Sequence, residues 1–491
     1  MTESEYIAIL EAENAELRQL VTSLEEKVLL LLERQQQRSV KKDSGNSSLP
    51  PSSDIGRKTR SLREKSERSI GGQRGHRGKT LEMTATPDQI IDLKSNYCGR
   101  CGNSLAAENF ILQSRRQVIE IPPITPVWEE YRVFACTCPN CEHEQIADFP
   151  PPVKAPIQYG SSVSALAAYL SVYQYVPFRR LKNLFGEVFK LPMSEATLVN
   201  LVEKAAAKSG FVYASIKAQI GESRVVGSDE TSAQVDGKKW WLWVWQNVSN
   251  TFIVASESRG SQTIEAEWRD GLPQATLVSD RWAAQLKMTS AGNQICLAHL
   301  LRDVRYLAES EKEEFAEEFK RLLVKVFDLR KKMVERNQIC PKKEAAEMEN
   351  RLNKLLAIPI NREKKPFTAR FQRAMLKYRN NLLPCLSDLE IPPDNNGSER
   401  AIRNIKVKQK ISGQFKSGQK TFCVLRSVID TLIKRQLDVL THLTQIMKIQ
   451  PNSYEPGRFA RRERAFEAAN QSTFGKSNEC RVDARAWIRE K

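Results

Sequence analysis

The chain has 491 residues, with 76 Lys and Arg against 59 Asp and Glu, a net charge of +17. That excess points to a polyanionic partner, most often nucleic acid, and a hydrophobic fraction of 41% is enough for packed cores, which excludes a wholly disordered chain. No run of about 18 apolar residues offers a membrane span, no basic-then-apolar leader follows Met1, and ten Cys in so long a chain do not make a disulfide scaffold, so a reducing cytosol is expected.

Residues 1–36 read as a coiled-coil dimerisation helix. Leu10, Leu17, Leu24 and Leu31 recur every seven residues, and Ile7, Asn14, Val21 and Val28 fill the other core position. Leu at one seam position and β-branched residues at the other favour a parallel pair, and Asn14 in the seam would fix register. The plainer alternative is one amphipathic helix packed on its own protein. Residues 37–90 read as a basic flexible linker, with a Ser-, Pro- and Asn-rich run followed by closely spaced Arg, Lys and Gly that include Arg74 and Arg77. Such an arm follows phosphates.

Residues 91–152 carry the sharpest local motif. Cys98-Gly-Arg-Cys101 and Cys138-Pro-Asn-Cys141 are two CxxC turns, a spacing at which both thiolates of a turn reach one tetrahedral Zn²⁺. A closed four-thiolate site leaves no open position, so the zinc is expected to be structural. Gln117–Ile121 and Trp128–Phe134 read as strands of a zinc ribbon. Cys136 and His143 are candidate substitute ligands. Residues 153–221 are helical by pattern: Ser161–Tyr175, Phe178–Phe189 and Glu195–Ala207, the last with Ser194 as N-cap. A helix–turn–helix carrying Arg179 and Arg180 is one reading, and ordinary helical packing is the other.

Residues 222–305 change to strands. Arg224–Gln234 and Lys238–Val248 flank the hairpin turn Asp236-Gly237, Thr251–Glu257 is a third strand, and Gln262–Trp268 a crossover helix before the strand Ala275–Ser279. Trp240, Trp241, Trp243 and Trp245 load both faces of the second strand, so it should be buried on both sides. The order is that of a ribonuclease H-like sheet. A helical insertion is expected over 306–390, C-terminal helices of the core over 391–450, and a basic tail over 451–491. The fold class is therefore multidomain α+β: a ribonuclease H-like α/β catalytic core with a helical insertion, preceded by an N-terminal coiled coil, a zinc ribbon and a helical DNA-binding module.

Three acids have distinctive settings. Asp229 lies in the first strand, Asp280 ends the fourth, and Glu399 falls in the first turn of a helix entered through Pro392-Pro-Asp-Asn-Asn-Gly-Ser. Buried carboxylates need a compensating partner, and Mg²⁺, which prefers oxygen ligands, is such a partner. Arg403, Lys406 and Lys410 follow Glu399 on the same helical face, which suits a metal site beside a phosphodiester backbone. The plain alternative for Glu399 is its favourable place at a helix N-terminus. Glu230 should face away from Asp229, and Cys296 with His299 is a weak case for a second metal site.

The order of these motifs resembles the DDE transposases of the insertion sequence 66 family. The resemblance rests on the N-terminal coil, Asn-Ser-Ser-Leu-Pro-Pro-Ser-Ser-Asp54, Gly72-Gln-Arg-Gly-His76, the paired CxxC, Gly227-Ser-Asp229-Glu-Thr, Ser279-Asp280, Cys296-Leu-Ala-His299 and Asp394-Asn-Asn-Gly-Ser-Glu399-Arg400. Two stretches depart from the family pattern: Arg281-Trp282 after the second aspartate and Gly397-Ser398 before the glutamate. The resemblance implies metal-dependent DNA cleavage at transposon ends and strand transfer into target DNA. Asp229, Asp280 and Glu399 would be catalytic and would hold Mg²⁺ or Mn²⁺. Cys98, Cys101, Cys138 and Cys141 would hold Zn²⁺, and Arg74, Arg77, Arg179, Arg180, Arg400, Arg403, Lys406 and Lys410 would contact DNA. Implied partners are transposon-end and target DNA, a second copy through the coil, and accessory proteins of the same element. The implied setting is the bacterial cytoplasm, at the nucleoid. A catalytically silent transposase-derived regulator and a ribonuclease H-like nuclease are the competing readings.

Overall fold

The computed structural model describes residues 3–39, 75, 81–105, 110–311 and 313–449. Most of the expected basic arm, with Arg74 and Arg77, and the tail after 450 lie outside the described residues.

The first helix, α1 (Glu3–Ser39), covers the heptads. The seam residues Leu17, Val21, Leu24 and Val28 are exposed in the single chain. Around the two CxxC turns the ladders among the described residues are short. Tyr97 bridges Ser104, and β1 (Ala135–Thr137) pairs antiparallel with β2 (Glu144–Ile146). The expected strands Gln117–Ile121 and Trp128–Phe134 do not form: both stretches are unpaired and their apolar side chains, such as Val118 and Trp128, are exposed. Their alternation marks a face that could be covered, but a ladder needs a neighbouring strand, and none of the described residues supplies one.

From residue 161 the chain is densely packed. Helices α2 (Ser161–Ala168), α3 (Phe178–Glu187), α4 (Glu195–Lys208) and α5 (Gly210–Gly221) follow in turn. A π-helical turn, Tyr169–Tyr173, extends α2, and Ser194 caps α4 through the Thr197 N–H. Their apolar faces do not form a core of their own. Leu181, Leu198, Val202 and Ile216 share one cluster with Leu242, Trp243, Trp245 and Ile253 of the sheet.

The sheet has five strands: β3 (Val225–Val235), β4 (Lys238–Gln246), β5 (Thr251–Ser256), β6 (Leu272–Ser279) and β7 (Ser290–Ile295). Their spatial order is β5-β4-β3-β6-β7. The first three are antiparallel neighbours, and β6 and β7 run parallel to β3. Asp236 and Gly237 both have positive φ, as the tight hairpin turn requires. In β4, Leu242, Trp243, Val244 and Trp245 are fully buried, so its centre is covered on both faces, whereas Trp240 and Trp241 are half-buried near its start. Helix α6 (Ser261–Glu267) crosses from β5 to β6, and the short α7 (Ala283–Leu286) links β6 to β7.

Strand β7 was not legible in the sequence, because Ser-Ala-Gly-Asn-Gln-Ile carries few apolar residues. Its polarity is used for docking. Gln294, fully buried, donates to the Leu382 carbonyl and accepts the Cys385 N–H, tying the following helices to the sheet. Those helices are α8 (Leu297–Glu311), α9 (Glu314–Arg336), α10 (Lys342–Leu356) and α11 (Pro366–Lys377). They form a second core with Val278 and Ile295 at its sheet end.

The chain returns through α12 (Asn396–Ser412), α13 (Gln419–Lys434) and α14 (Val439–Lys448). Helix α13 closes the exposed edge of β5: Ser427 Oγ accepts the Ile253 N–H and Thr431 Oγ1 accepts the Thr251 N–H. An edge strand is thereby hidden from other strands by side-chain hydroxyls. No described helix is long and apolar enough to cross a membrane.

Candidate active site and zinc knuckles

The register of β3 on β6 sets Gly227 opposite Val278. Two residues further along lie Asp229, inside β3 just past its last pairing with β6, and Asp280, directly after the end of β6, so the two acids emerge side by side. The Asp229 carboxyl is raised well above the usual carboxylate range, first by burial and then by the charges of Asp280 and Glu230. Part of its surface is nonetheless open to solvent. Glu399 approaches from the first turn of α12. One imidazole links the pair to it: His299 Nδ1 is 2.7 Å from Asp280 Oδ1, and Nε2 is 3.7 Å from Glu399 Oε1. The three acids singled out in the sequence are therefore brought to one end of the sheet.

These acids are partnered differently from their neighbour. Glu230, next in β3, accepts from Arg259 Nε and Nη2 at 3.0 and 2.8 Å and from Gln285 Nε2 at 2.7 Å. Asp280 Oδ1 and Glu399 Oε1 are buried oxygens with no hydrogen-bond donor. The 2.7 Å approach of His299 to Asp280 is thus close without hydrogen-bond alignment. Buried carboxylate oxygens left in this state fit a hard divalent cation.

Helix α8 adds residues whose roles the sequence left unread. Burial opposes charging of His299, while Asp280 and Cys296 favour it and lift its pKa to about 11. Arg302 Nη1 is 2.9 Å from His299 Nε2. A guanidinium only donates, so this contact requires a lone pair on Nε2. With Nδ1 protonated the ring already turns an N–H toward Cys296 and Asp280, whereas a second proton would face Arg302 directly, so this contact opposes the charging that Asp280 and Cys296 favour. Arg302 Nη2 is also 3.7 Å from Glu399 Oε1.

The start of α12 is fixed on β3 by small and amide residues. Asp394 accepts the Asn396 N–H in a local turn. Asn395, buried, donates Nδ2 to the Ser228 carbonyl at 2.7 Å and accepts the Ser398 hydroxyl at 2.7 Å. A Cβ on Gly227 would stand 2.4 Å from Gln246 Nε2, and one on Gly397 2.5 Å from the same atom. Gly397 and Ser398, the departure noted in the sequence, are thus the residues that let α12 approach β3. Gln246 cannot simply swing aside, because Lys434 Nζ donates to its Oε1 at 2.7 Å and to the carbonyls of Asn247 and Asn250. Burial pulls the Lys434 pKa down to about 7, but three acceptors matched to three N–H bonds hold the ammonium form. Gly397→Ala is expected to cost about 1–3 kcal/mol by overpacking. Most of that loss should be restored in a Gln246→Ala background, as read by urea denaturation of the four chains of the cycle.

The expected DNA contacts divide. Arg179 and Arg180 on α3, and Arg400, Arg403 and Lys410 on α12, are exposed. Lys406 is half-buried, and its ammonium donates to the Ser232 carbonyl at 2.8 Å.

The two CxxC turns repeat one geometry. Cys98 N–H donates to Asn103 O and Gly102 N–H to Cys98 O; Cys138 N–H donates to His143 O and Glu142 N–H to Cys138 O. Gly102 and Glu142 both take positive φ. Backbone N–H groups within each turn lower the pKa of the first thiol, those of Cys101 and Arg100 for Cys98 and those of Asn140 and Cys141 for Cys138. Each turn is therefore half of a thiolate site. No three of the four sulfurs lie within 4.8 Å of one another among the described residues.

Comparison with known proteins agrees with this arrangement. The profile of the transposase IS66 family matches residues 156–421, more than half of the chain. The chain belongs to that family. The zinc-finger binding domain of transposase IS66 matches residues 95–142, which contain both CxxC turns. A family of unknown function (DUF6444) matches residues 3–82. Among curated proteins no match was found. As an IS66-family transposase, the chain has DNA as its partner and carries a zinc-finger domain. The family match covers α2 to the start of α13, and the core that helices and sheet share runs on past it to Met447 of α14.

Proposed function

We propose that this transposase cuts phosphodiester bonds at the ends of its element and joins the freed 3′-hydroxyls to target DNA, with Asp229, Asp280 and Glu399 holding divalent metal. The observation that carries the reading is the contrast between acids: Glu230 is fully partnered by protein, whereas Asp280 Oδ1 and Glu399 Oε1 are buried with no aligned hydrogen-bond donor, approached only by His299 and Arg302. The strand order, with three antiparallel strands followed by two parallel ones, supports a ribonuclease H-like core. Bound Mg²⁺ or Mn²⁺ would supply Lewis-acid activation of the attacking oxygen and relief of charge on the leaving one.

The protein's own part is placement. Asp229 and Asp280 present carboxylates from neighbouring strands, the first inside β3 and the second just after β6, and Asn395 with Ser398 holds the helix that delivers Glu399. Exposed Arg179, Arg180, Arg400, Arg403 and Lys410 would hold phosphates and set the register of the DNA. Lys406 gives one of its three N–H bonds to the Ser232 carbonyl, and the others would serve a phosphate. Arg74 and Arg77, outside the described residues, would extend the phosphate contacts. Cys98, Cys101, Cys138 and Cys141 would close on one structural zinc. The uncovered stripe of α1 suits a second copy of the chain, a pairing that fits a complex of two DNA ends. The setting would be the bacterial cytoplasm at the nucleoid, with accessory proteins of the same element.

The test is a nicking and joining assay on DNA bearing the element's ends, with Mg²⁺ or Mn²⁺ supplied. Nicking followed by joined product, both lost in Asp229→Ala, is expected. End binding without nicking would instead identify a silent regulator, and released fragments without joining would identify a nuclease.

A further inference from the structure

A second kind of ligand set lies against the acids. Asp280, Cys296 and His299 present one oxygen, one sulfur and one nitrogen within 4.8 Å of one another. His299 Nδ1 is 3.3 Å from Cys296 Sγ and 2.7 Å from Asp280 Oδ1, so a single ring nitrogen is aimed between a thiol and a carboxylate. Cys296 is fully buried, and Asp280 Oδ1 has no hydrogen-bond donor. Chain order makes this possible: Cys296 follows β7 directly, His299 lies in the first turn of α8, and Asp280 ends the neighbouring β6.

We propose that Asp280, Cys296 and His299 form a binding site for a thiophilic divalent cation of the zinc class, distinct in chemistry from the all-carboxylate cage beside it. Bond lengths of about 2.0–2.3 Å in a tetrahedral site space the ligand atoms about 3.3–3.8 Å apart, so the trio needs adjustments of about half an ångström. Three protein ligands leave the fourth position to water. Thiolate selects zinc over the hard cations that carboxylates prefer. In the empty site Arg302 holds the imidazole proton on Nδ1. The ion takes that place, the Cys296 thiol releases its proton to solvent, and the ring proton moves to Nε2, where it displaces Arg302 Nη1 from its 2.9 Å contact and faces Glu399 Oε1 at 3.7 Å. Occupancy engages Asp280 and so withdraws it from the cage. That consequence rests on the proposed function, whereas the site itself does not.

The test is zinc content of the full chain after chelator treatment and titration with Zn²⁺ alone, without DNA, so its result is independent of whether the protein cuts DNA. Wild type should take up two zinc ions per chain. A chain with Cys98→Ser and Cys138→Ser, which removes the knuckle site, should retain one. Adding Cys296→Ala to that chain should remove it. With Co²⁺ in place of Zn²⁺, the knuckle-deficient chain should show a thiolate-to-cobalt charge-transfer band that disappears with Cys296→Ala. If Cys296→Ala misfolds by circular dichroism, His299→Gln in the same background tests the site and should weaken uptake at least tenfold. A knuckle-deficient chain that binds no zinc, or that binds it equally well without Cys296 or His299, overturns the proposal.

Discussion

Glu399→Gln is expected to leave the chain folded and bound to DNA while lowering metal-dependent nicking at least about a thousandfold, equivalent to about 4 kcal/mol of transition-state stabilisation. The amide keeps the shape of the side chain and removes its charge. Helix α12 depends on Asn395, Ser398 and Gly397 for its position rather than on Glu399, whose Oε1 has no protein donor to lose. The measurement is single-turnover nicking at saturating protein, with binding followed separately by mobility shift. Activity within about tenfold of wild type would remove Glu399 from the metal cage. Loss of binding in parallel would mean that the residue serves the fold or the DNA interface instead.

The largest expected loss of stability lies behind the site, in α13. Arg426 and Asp430 form an ion pair one turn apart, with side chains only 2% and 9% exposed. Arg426 also donates to the Tyr175 hydroxyl and lies over the rings of Tyr173 and Tyr175, so it joins α13 to the π-helical turn after α2. Asn404 of α12 contacts Asp430 at 3.4 Å. Asp430→Ala strands a buried guanidinium and is expected to cost about 3–5 kcal/mol, the usual price of breaking one side of a buried pair. Replacing both partners, Arg426→Met with Asp430→Ala, should recover a substantial part of that loss, because no unpaired charge remains. Thermal or urea denaturation of the three chains reads the result. A loss under about 1 kcal/mol in Asp430→Ala would show that solvent reaches Arg426 after all.

Both predictions depend on features of different legibility. β-rich runs on either side of an Asp-Gly turn mark β3 and β4 to within two residues of where they lie, because the turn fixes the hairpin locally. The Ser194 cap and the helix entry just before Glu399 are readable for the same reason: their signals are local. Strand β7 is silent because it carries few apolar residues and its buried Gln294 finds partners more than eighty residues away. The stretches 117–121 and 128–134 err in the other direction, since alternation promises a strand that no described neighbour pairs.

The chemistry divides along the same line. Sequence alone determined which side chains could do it: an aspartate within a strand, another closing one, a glutamate opening a helix, and paired CxxC turns, each recognisable from its immediate neighbours. Tertiary structure alone decided that residues 229, 280 and 399 meet, that Glu230 is neutralised by Arg259 and Gln285, and that His299 and Arg302 stand between the acids. Periodicity reports the face a residue occupies, whereas the partner across that face is chosen by packing between segments far apart in the chain, and the charge state of a carboxylate depends on that partner.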